Sequence, residues 1–147
     1  MMSGAVSAGH PETAQAAATI LKEGGNAFDA VLAGMAAACV CEPVLCSFGG
    51  GGFLMAKPEN EAPRILDFFA QTPLRLPDAK ARDFFPVLCD FGTVKQEFHI
   101  GMASMATPGL ARGMFEVNKL LGRMPLGQIL EPAIILAKEG VPLHRLQ

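Results

Sequence analysis

The sequence predicts a mixed α/β (α+β) fold, and three observations indicate it. Apolar segments with helical periodicity, rich in alanine and leucine, occur in the first and last thirds of the chain. Between them lie short apolar runs bounded by glycine and proline, which are typical of strands. The chain has 147 residues, 50% of them hydrophobic, which is enough to bury one core. We therefore expect a single domain over residues 1–147.

The first third predicts a short strand followed by two helices. We expect the strand at Ala5–Ser7 and the first helix at Pro11–Lys22, because proline suits a first helical turn and a glycine pair follows the helix. Asn26 and Asp29 have the spacing of a capping pair for a second helix at Ala27–Cys41. This helix is apolar on nearly every side, so we expect other elements to cover it.

The middle of the chain predicts a hairpin and then less regular structure. Phe53–Ala56 and Ile65–Phe69 have the composition of strands, and the polar loop Lys57–Arg64 between them favours antiparallel pairing. Pro77–Phe85 predicts a short helix, whereas Pro86–Gly101 has no clean periodicity and is expected to be irregular.

The last third predicts two helices, at Leu110–Leu121 and Leu126–Glu139, each followed by a glycine. Pro132 lies inside the second helix and removes one backbone donor. We therefore expect a kink at Pro132 or a break before Glu131.

Charge and hydropathy exclude several functional classes. The net charge is −2 and the pI is about 5.9, so nothing favours binding to nucleic acid or to an anionic membrane. The most apolar stretch, Ala30–Val40, is far shorter than the roughly 20 residues that a spanning helix needs. Met1–Gly9 lacks the pattern of a signal peptide, so a cytoplasmic location is expected.

The four cysteines, Cys39, Cys41, Cys46 and Cys89, predict buried free thiols. Their spacing fits no common zinc pattern, and the lack of an export signal argues against disulfides. Metal binding and disulfide formation are the less favoured alternatives. We expect no metal site and no cofactor.

The most conspicuous motif is the run Gly49, Gly50, Gly51 and Gly52 before Phe53. A phosphate-binding loop would need Gly-Lys-Ser/Thr, or glycines that follow a strand and open a helix. Here the glycines follow a helix and open a strand. We expect a structural glycine loop that needs unusual dihedrals or close approach by another segment.

The glycine run is one of several motifs in a characteristic order. They are Gly9-His10-Pro11, Gly24-Gly25-Asn26-Ala27-Phe28-Asp29-Ala30, Glu42-Pro43, Gly49 to Phe53, Leu66-Asp67-Phe68, Thr107-Pro108-Gly109-Leu110, Gly122-Arg123-Met124-Pro125, Glu131-Pro132-Ala133 and Ala137-Lys138-Glu139-Gly140. Together they resemble the N-terminal part of the large subunit of the γ-glutamyltranspeptidase (γ-glutamyltransferase, glutathione hydrolase) family. The resemblance covers about Gly4 to Leu143. It implies an incomplete αββα sandwich of the N-terminal-nucleophile hydrolases, so residues 1–147 would form a partial domain. Half of such a sandwich would leave a sheet edge unpaired, so we expect poor solubility.

The resemblance also implies a mechanism whose nucleophile is missing from this chain. In the family a precursor cuts itself, and the threonine exposed at the start of the small subunit attacks a γ-glutamyl amide, with its own α-amine as base. None of the threonines here matches that position; they are Thr13, Thr19, Thr72, Thr93 and Thr107. We therefore assign no catalytic residue to this chain and expect it to be inactive alone. The implied partners are the rest of the large subunit, the small subunit and a small-molecule amide substrate.

One position departs from the family pattern. The resemblance places an arginine that binds the substrate α-carboxylate at Phe69, and phenylalanine cannot pair with a carboxylate. One alternative is therefore an amidohydrolase or acylase for another acyl group, with Phe69, Gln71 and Thr72 as substrate-binding residues. Arg75 could compensate from a shifted position, although a solvated loop arginine is the favoured interpretation. A further alternative is a non-catalytic binding partner of an intact paralogue, with exposed apolar surface as its interface.

The histidines give weaker signals. His10 stands at the start of the first predicted helix, where a packing or capping role is expected. Glu97 and His99 are two apart and could form an acid and base pair, but the sequence gives no further support for one. His144 stands apart from both.

Overall fold

The computed structural model describes residues 4–75 and 78–143, and the chain divides into two compact units. The first unit comprises Met1–Phe69 and Pro108–Gln147, and the second comprises Ala70–Thr107. The prediction of one domain over residues 1–147 stays a prediction.

The described residues form helices and strands in mixed order. In chain order the elements are α1 Pro11–Lys22, α2 Ala27–Cys41, β1 Phe53–Ala56, β2 Arg64–Asp67, β3 Phe85–Asp90, β4 Lys95–Ile100, α3 Leu110–Leu121 and α4 Leu126–Glu139, with short 3-10 turns at Ala79–Ala81 and Met102–Ser104. All four α-helices begin and end where the sequence predicts. No helix in the part of the chain that the structure describes is both long and apolar enough to cross a bilayer.

Helix α2 forms the centre of the first unit, as its apolar sequence predicts. It packs against α1, α3 and α4. Leu32, Ala33, Ala36 and Ala37 have no exposed surface. Small residues let neighbouring helices come close, and a Cβ at Gly34 would stand in ordinary contact with α1, at 3.6 Å from Ala17 Cβ. Burial of this stripe supplies much of the apolar contact that stabilises the unit.

Side-chain caps fix the starts of both N-terminal helices. The Nδ1 atom of His10 accepts a hydrogen bond from the Glu12 amide at 3.2 Å, which confirms the capping role. At α2 the Asn26 side chain accepts from the amide of Asp29, and the Asp29 carboxylate accepts from the amide of Asn26, both at 2.9 Å. The predicted capping pair is therefore a reciprocal capping box.

Strands β1 and β2 pair antiparallel, which confirms the first hairpin. Phe53 lies opposite Asp67, and Met55 lies opposite Ile65. Leu54 and Ala56 point into the core, whereas Phe53 and Met55 face outwards, in keeping with the two-residue period of a strand. Strand β2 starts at Arg64 and ends at Asp67, so it is shifted towards the N-terminus relative to the prediction.

The second unit contains a hairpin that the sequence did not predict. The expectation of irregular structure over Pro86–Gly101 is wrong, because β3 and β4 pair antiparallel there over six residue pairs. Every β4 residue is exposed, and only the second half of the strand, Glu97 to Ile100, alternates polar and apolar side chains. The turn depends on Gly92, which has φ of 84° and whose amide donates to Asp90 Oδ1 at 2.8 Å.

Two smaller predictions also fail. Ala5–Ser7 forms no strand, and the described residues offer it no pairing partner. The helix expected at Pro77–Phe85 is a single 3-10 turn at Ala79–Ala81, while Pro77 lies outside the described residues. Phe85 instead begins β3, because a residue before proline favours the extended conformation.

Helix α4 continues through Pro132, so the alternative of a break before Glu131 is wrong, whereas the kink at Pro132 stays a prediction. Proline removes one helical hydrogen bond, but Ile129 and Ala133 are buried on either side of it. Packing of Ile129 and Ala133 in the core keeps α4 helical on both sides of the missing hydrogen bond.

Candidate functional site

The glycine loop Gly49–Gly52 lies between α2 and β1 in the chain, and its backbone binds the start of α3. The Gly50 carbonyl accepts hydrogen bonds from the amides of Gly109 at 3.0 Å and Leu110 at 3.1 Å. Helix α3 has no side-chain cap, so this carbonyl satisfies amides that a helix N-terminus otherwise leaves without a partner. Two motifs that are far apart in the sequence therefore meet through the backbone.

Close packing around Phe68 explains why small residues stand here. Gly52 and Phe68 exchange backbone hydrogen bonds of 3.3 and 3.1 Å, which extend the β1–β2 ladder by one pair. A Cβ on Gly52 would lie 3.2 Å from the Phe68 ring, and one on Gly113 would overlap that ring. Among the described glycines, none in the Gly49–Gly52 run has a positive φ. Close approach, rather than a left-handed backbone, is thus the constraint at this loop.

Phe69, the position of the departure from the family pattern, forms an exposed aromatic pair with Phe53. The two rings stack with centroids 5.4 Å apart and an interplanar angle of 13°. The exposed fractions are 52% for Phe69 and 64% for Phe53. The Phe69 amide donates to Asp67 Oδ1 at 2.9 Å, which fixes the backbone at the end of β2. This pair presents an apolar surface at position 69, where the resemblance to the family places an arginine.

The other candidate substrate-binding residues lie in the second unit. Gln71 pairs with Thr107 through backbone hydrogen bonds of 3.0 and 2.7 Å, and its side chain is exposed. Thr72 and Arg75 are also exposed. The substrate-binding role of Phe69, Gln71 and Thr72 stays a prediction.

A small hollow adjoins the glycine loop. It has a volume of about 210 Å³ and is lined by the connection that follows α2, from Pro43 to Ser47, together with Gly50 and Gly51. Pockets that hold small ligands usually measure roughly 300–1,000 Å³. This hollow alone is therefore too small for a γ-glutamyl peptide.

The sequence interpretation missed Phe53, and it placed Phe68 with Phe69 at the acyl pocket without predicting that Phe68 packs against Gly52 and Gly113. A signal for that packing was present, because Gly109, the N-cap of α3, and Gly113 are four apart and so lie on one side of the helix. Phe53 has no comparable signal, since only the hairpin register brings it beside Phe69.

The remaining titratable candidates do not form a catalytic group. Glu97 Oε1 and His99 Nε2 are 3.9 Å apart, beyond hydrogen-bond distance, and the His99 ring stacks on Phe84. Thr13 is buried and donates to Glu42 Oε2 at 3.2 Å. His144 lies outside the described residues.

The cysteines are less uniformly buried than predicted. Cys41 is buried, but Cys39, Cys46 and Cys89 are half-buried because they lie at a helix end, in a loop and on an exposed hairpin. Burial and the neighbouring Cys46 raise the pKa of Cys39 from 9.0 to about 12. Burial, followed by the charges of Glu12 and Glu42, raises the pKa of Cys41.

None of the four cysteines forms a disulfide. Within residues 4–75 and 78–143, no cluster of His, Cys, Asp and Glu side chains has the geometry to hold a metal ion.

Comparison with known proteins identifies the scaffold. The family described as gamma-glutamyltranspeptidase matches residues 13–147. The glutathione hydrolase proenzyme of Pseudomonas aeruginosa is 35% identical over 138 residues, which cover 93% of this chain and 24% of that protein. The acylase ACY 1 proenzyme of Pseudomonas sp. strain V22 is 32% identical, over 93% of this chain and 25% of that protein. The chain thus spans about a quarter of the length of these curated relatives.

A solved structure shows the same fold. The γ-glutamyltranspeptidase of Pseudomonas nitroreducens superposes with a TM-score of 0.79 and 28% identity, over 100% of this chain and 42% of that one. This likeness confirms an α/β fold that is part of an N-terminal-nucleophile hydrolase. The chain belongs to the γ-glutamyltranspeptidase family, of which it covers an N-terminal part.

Proposed function

We propose that this chain supplies the N-terminal scaffold of the large subunit of a γ-glutamyltranspeptidase-like hydrolase and is inactive alone. The observation that carries this proposal is the meeting of three family motifs around Phe68. The glycine loop, the Asp67-Phe68 segment and the start of α3 are joined by backbone hydrogen bonds at Gly50 and Gly52. The scaffold is therefore assembled, whereas the threonine nucleophile belongs to a segment outside this chain.

The first test is an assay of the purified chain on a γ-glutamyl anilide. We expect no release of the aniline above buffer, because no threonine in the chain carries its own free α-amine as base. A chain with the glycine loop disrupted by Gly52→Val serves as the matched control for background hydrolysis. Turnover by the chain that exceeds both buffer and this control would contradict the proposal.

A second candidate function differs in the acyl group rather than in the reaction. The stacked pair of Phe53 and Phe69 favours an apolar acyl group over one that carries an α-carboxylate. One relative, of 32% identity, is an acylase, and a solved cephalosporin acylase from Bacillus halodurans has a TM-score of 0.75 and 29% identity. We therefore propose acylase activity as the alternative for a protein that contains this segment.

Substitution at Phe69 distinguishes the two candidates in a self-processed protein that contains this segment. If Phe69 faces the acyl group, Phe69→Arg should raise turnover of a γ-glutamyl anilide and lower turnover of an apolar acyl anilide, because a guanidinium binds a carboxylate as a fork. The control Phe69→Leu keeps an apolar side chain and should leave the preference unchanged. Equal effects of both substitutions on both substrates would place the acyl pocket elsewhere. Arg75→Ala, assayed in the same way, tests compensation by Arg75.

A further inference from the structure

Two cysteines of the first unit lie within reach of each other beside the glycine loop. Cys39 Sγ and Cys46 Sγ are 3.4 Å apart. A disulfide needs a sulfur separation of about 2.05 Å, so the two atoms must approach by only about 1.4 Å. The other two cysteines are placed differently: Cys41 is two positions from Cys39 on the same helix and so points to another face, and Cys89 lies in the second unit.

The backbone on both sides of this pair is already fixed. Cys39 lies in the last turn of α2, where the Glu42 amide donates to the Ala38 carbonyl at 2.8 Å. The chain then reverses, and the amides of Leu45 and Cys46 both donate to the Glu42 carbonyl at 2.9 Å. The helix end and the turn therefore hold the two sulfur atoms 3.4 Å apart. Both side chains are half-buried, so a small reagent can reach them.

We propose that Cys39 and Cys46 form an oxidation site, at which a small-molecule disulfide converts the two thiols into a disulfide that clamps the connection between α2 and the glycine loop. The Cys46 thiolate attacks one sulfur of the reagent, breaks its S–S bond, forms a mixed disulfide and releases the other half of the reagent as a thiolate. Cys39 gives its proton to this released thiolate and attacks Cys46 Sγ, which forms the protein disulfide and releases the second half as a thiolate. That thiolate takes up the proton that Cys46 lost to solvent. Two protein thiols are oxidised, and one reagent disulfide is reduced to two thiols.

The order of attack follows from the environment of the two sulfurs. Burial holds the pKa of Cys39 at about 12, so this thiol stays protonated at neutral pH and reacts only when its partner is already activated. The hydrogen bond between the two sulfurs keeps Cys39 directed at Cys46. The clamp would close a loop of eight residues, from Cys39 to Cys46, just before Gly49.

Thiol counting and peptide mapping of the full 147-residue chain test this proposal. After incubation with bis(2-hydroxyethyl) disulfide and alkylation of the remaining thiols, we expect the chain to lose two of its four free thiols. Digestion should then yield a linked peptide pair joining Cys39 to Cys46, and dithiothreitol should restore all four thiols. The Cys89→Ser control should form the same bond. Cys39→Ser should stop at a reagent adduct on Cys46.

Other products would overturn the inference. Stable reagent adducts on both cysteines without a bond between them would show that the sulfurs do not meet in solution. A bond that involves Cys41 or Cys89, or one that joins two chains, would show that another pair reacts faster. Peptide mapping of the unmodified sequence gives the answer even where a serine variant fails to fold.

Discussion

At the scale of single residues, a buried carboxylate joins the start of α2 to the connection between α3 and α4. Asp29 has no exposed surface, and it accepts from the amide of Asn26 at 2.9 Å and from that of Arg123 at 3.0 Å. Asn26 donates in turn to the Leu121 carbonyl at 2.7 Å. The sequence predicted the cap, but the contact with residues about 94 positions later depends on the tertiary fold.

Replacement of Asp29 tests this link. Asp29→Ala should lower the free energy of unfolding by about 3 kcal/mol, because the capping box loses its carboxylate and the partly buried amides of Asn26 and Arg123 lose their acceptor. Asp29→Asn keeps the size and one acceptor oxygen, so its loss should be smaller. Urea unfolding followed by circular dichroism measures both changes. A loss below about 0.5 kcal/mol for the alanine variant would mean that water replaces the carboxylate.

The raised pKa of Cys39 makes the free energy of unfolding depend on pH in the alkaline range. The pKa of Cys39 is about 12 in the folded chain, above its ordinary value of 9.0. Between these values the unfolded chain releases a proton that the folded chain keeps, so the contribution of Cys39 to the free energy of unfolding is complete below pH 9.0 and is lost as pH rises towards 12. Urea unfolding at several pH values in this window, under reducing conditions, should show the decrease. Cys39→Ser should reduce the decrease of the free energy of unfolding with pH. A decrease that persists in Cys39→Ser but disappears in Cys89→Ser would assign the effect to Cys89 and contradict the prediction.

At the scale of elements, glycine has opposite roles in α3 and α4. Gly113 in α3 is buried, and a Cβ there would overlap the Phe68 ring. Gly127 in α4 is exposed, and a Cβ there would meet nothing within 4 Å. The sequence predicted both helices, but only packing shows which glycine is required.

This difference gives a matched pair of substitutions. Gly113→Ala should destabilise the chain by about 1–3 kcal/mol, because Phe68 must move away from the core. Gly127→Ala should stabilise it by about 0.5–1 kcal/mol through helix propensity. Thermal unfolding of the two variants beside the parent chain measures both effects. Equal shifts of the same sign would show that Phe68 does not pack on Gly113.

The two hairpins show why one was predicted from the sequence and the other was not. All four residues of β1, Phe53–Ala56, are apolar, so this strand was predicted from its composition and the glycines before it, although only alternate side chains are buried. In β3 and β4 both faces are largely solvated, and pairing depends on the turn at Gly92 and on the restriction that Pro86 places on Phe85. A strand pair without a buried face needs no continuous apolar stripe, so its hydrophobic pattern is weak.

At the scale of the whole molecule, much apolar surface is exposed. Met55 and Ile65 lie opposite each other on the outer face of the first hairpin, and they are 74% and 65% exposed. Phe53 and Phe69 lie on the same hairpin, and the sheet has only two strands. Unpaired edges and exposed apolar residues favour association, in keeping with the poor solubility that we predict.

A charged pair on this face should therefore improve solubility. The double variant Met55→Lys/Ile65→Glu should lower light scattering of the 147-residue chain while the circular dichroism spectrum stays unchanged, because both side chains face outwards. Leu54→Lys is the matched control on the buried face and should unfold the chain. Scattering unaffected by the double variant would exclude the hairpin as the aggregating surface. A discrete complex of the parent chain that the double variant abolishes would favour the role as a binding partner.

The sequence by itself determined the helices, their caps, the first hairpin and the family, because each depends on local periodicity, on capping residues or on the order of motifs. Only the tertiary structure decided which distant segments meet. It joins Gly50 to the start of α3, packs Phe68 against Gly113 and brings Phe53 beside Phe69. These contacts depend on strand register and helix packing, which combine segments far apart in the chain and leave little trace in any local pattern.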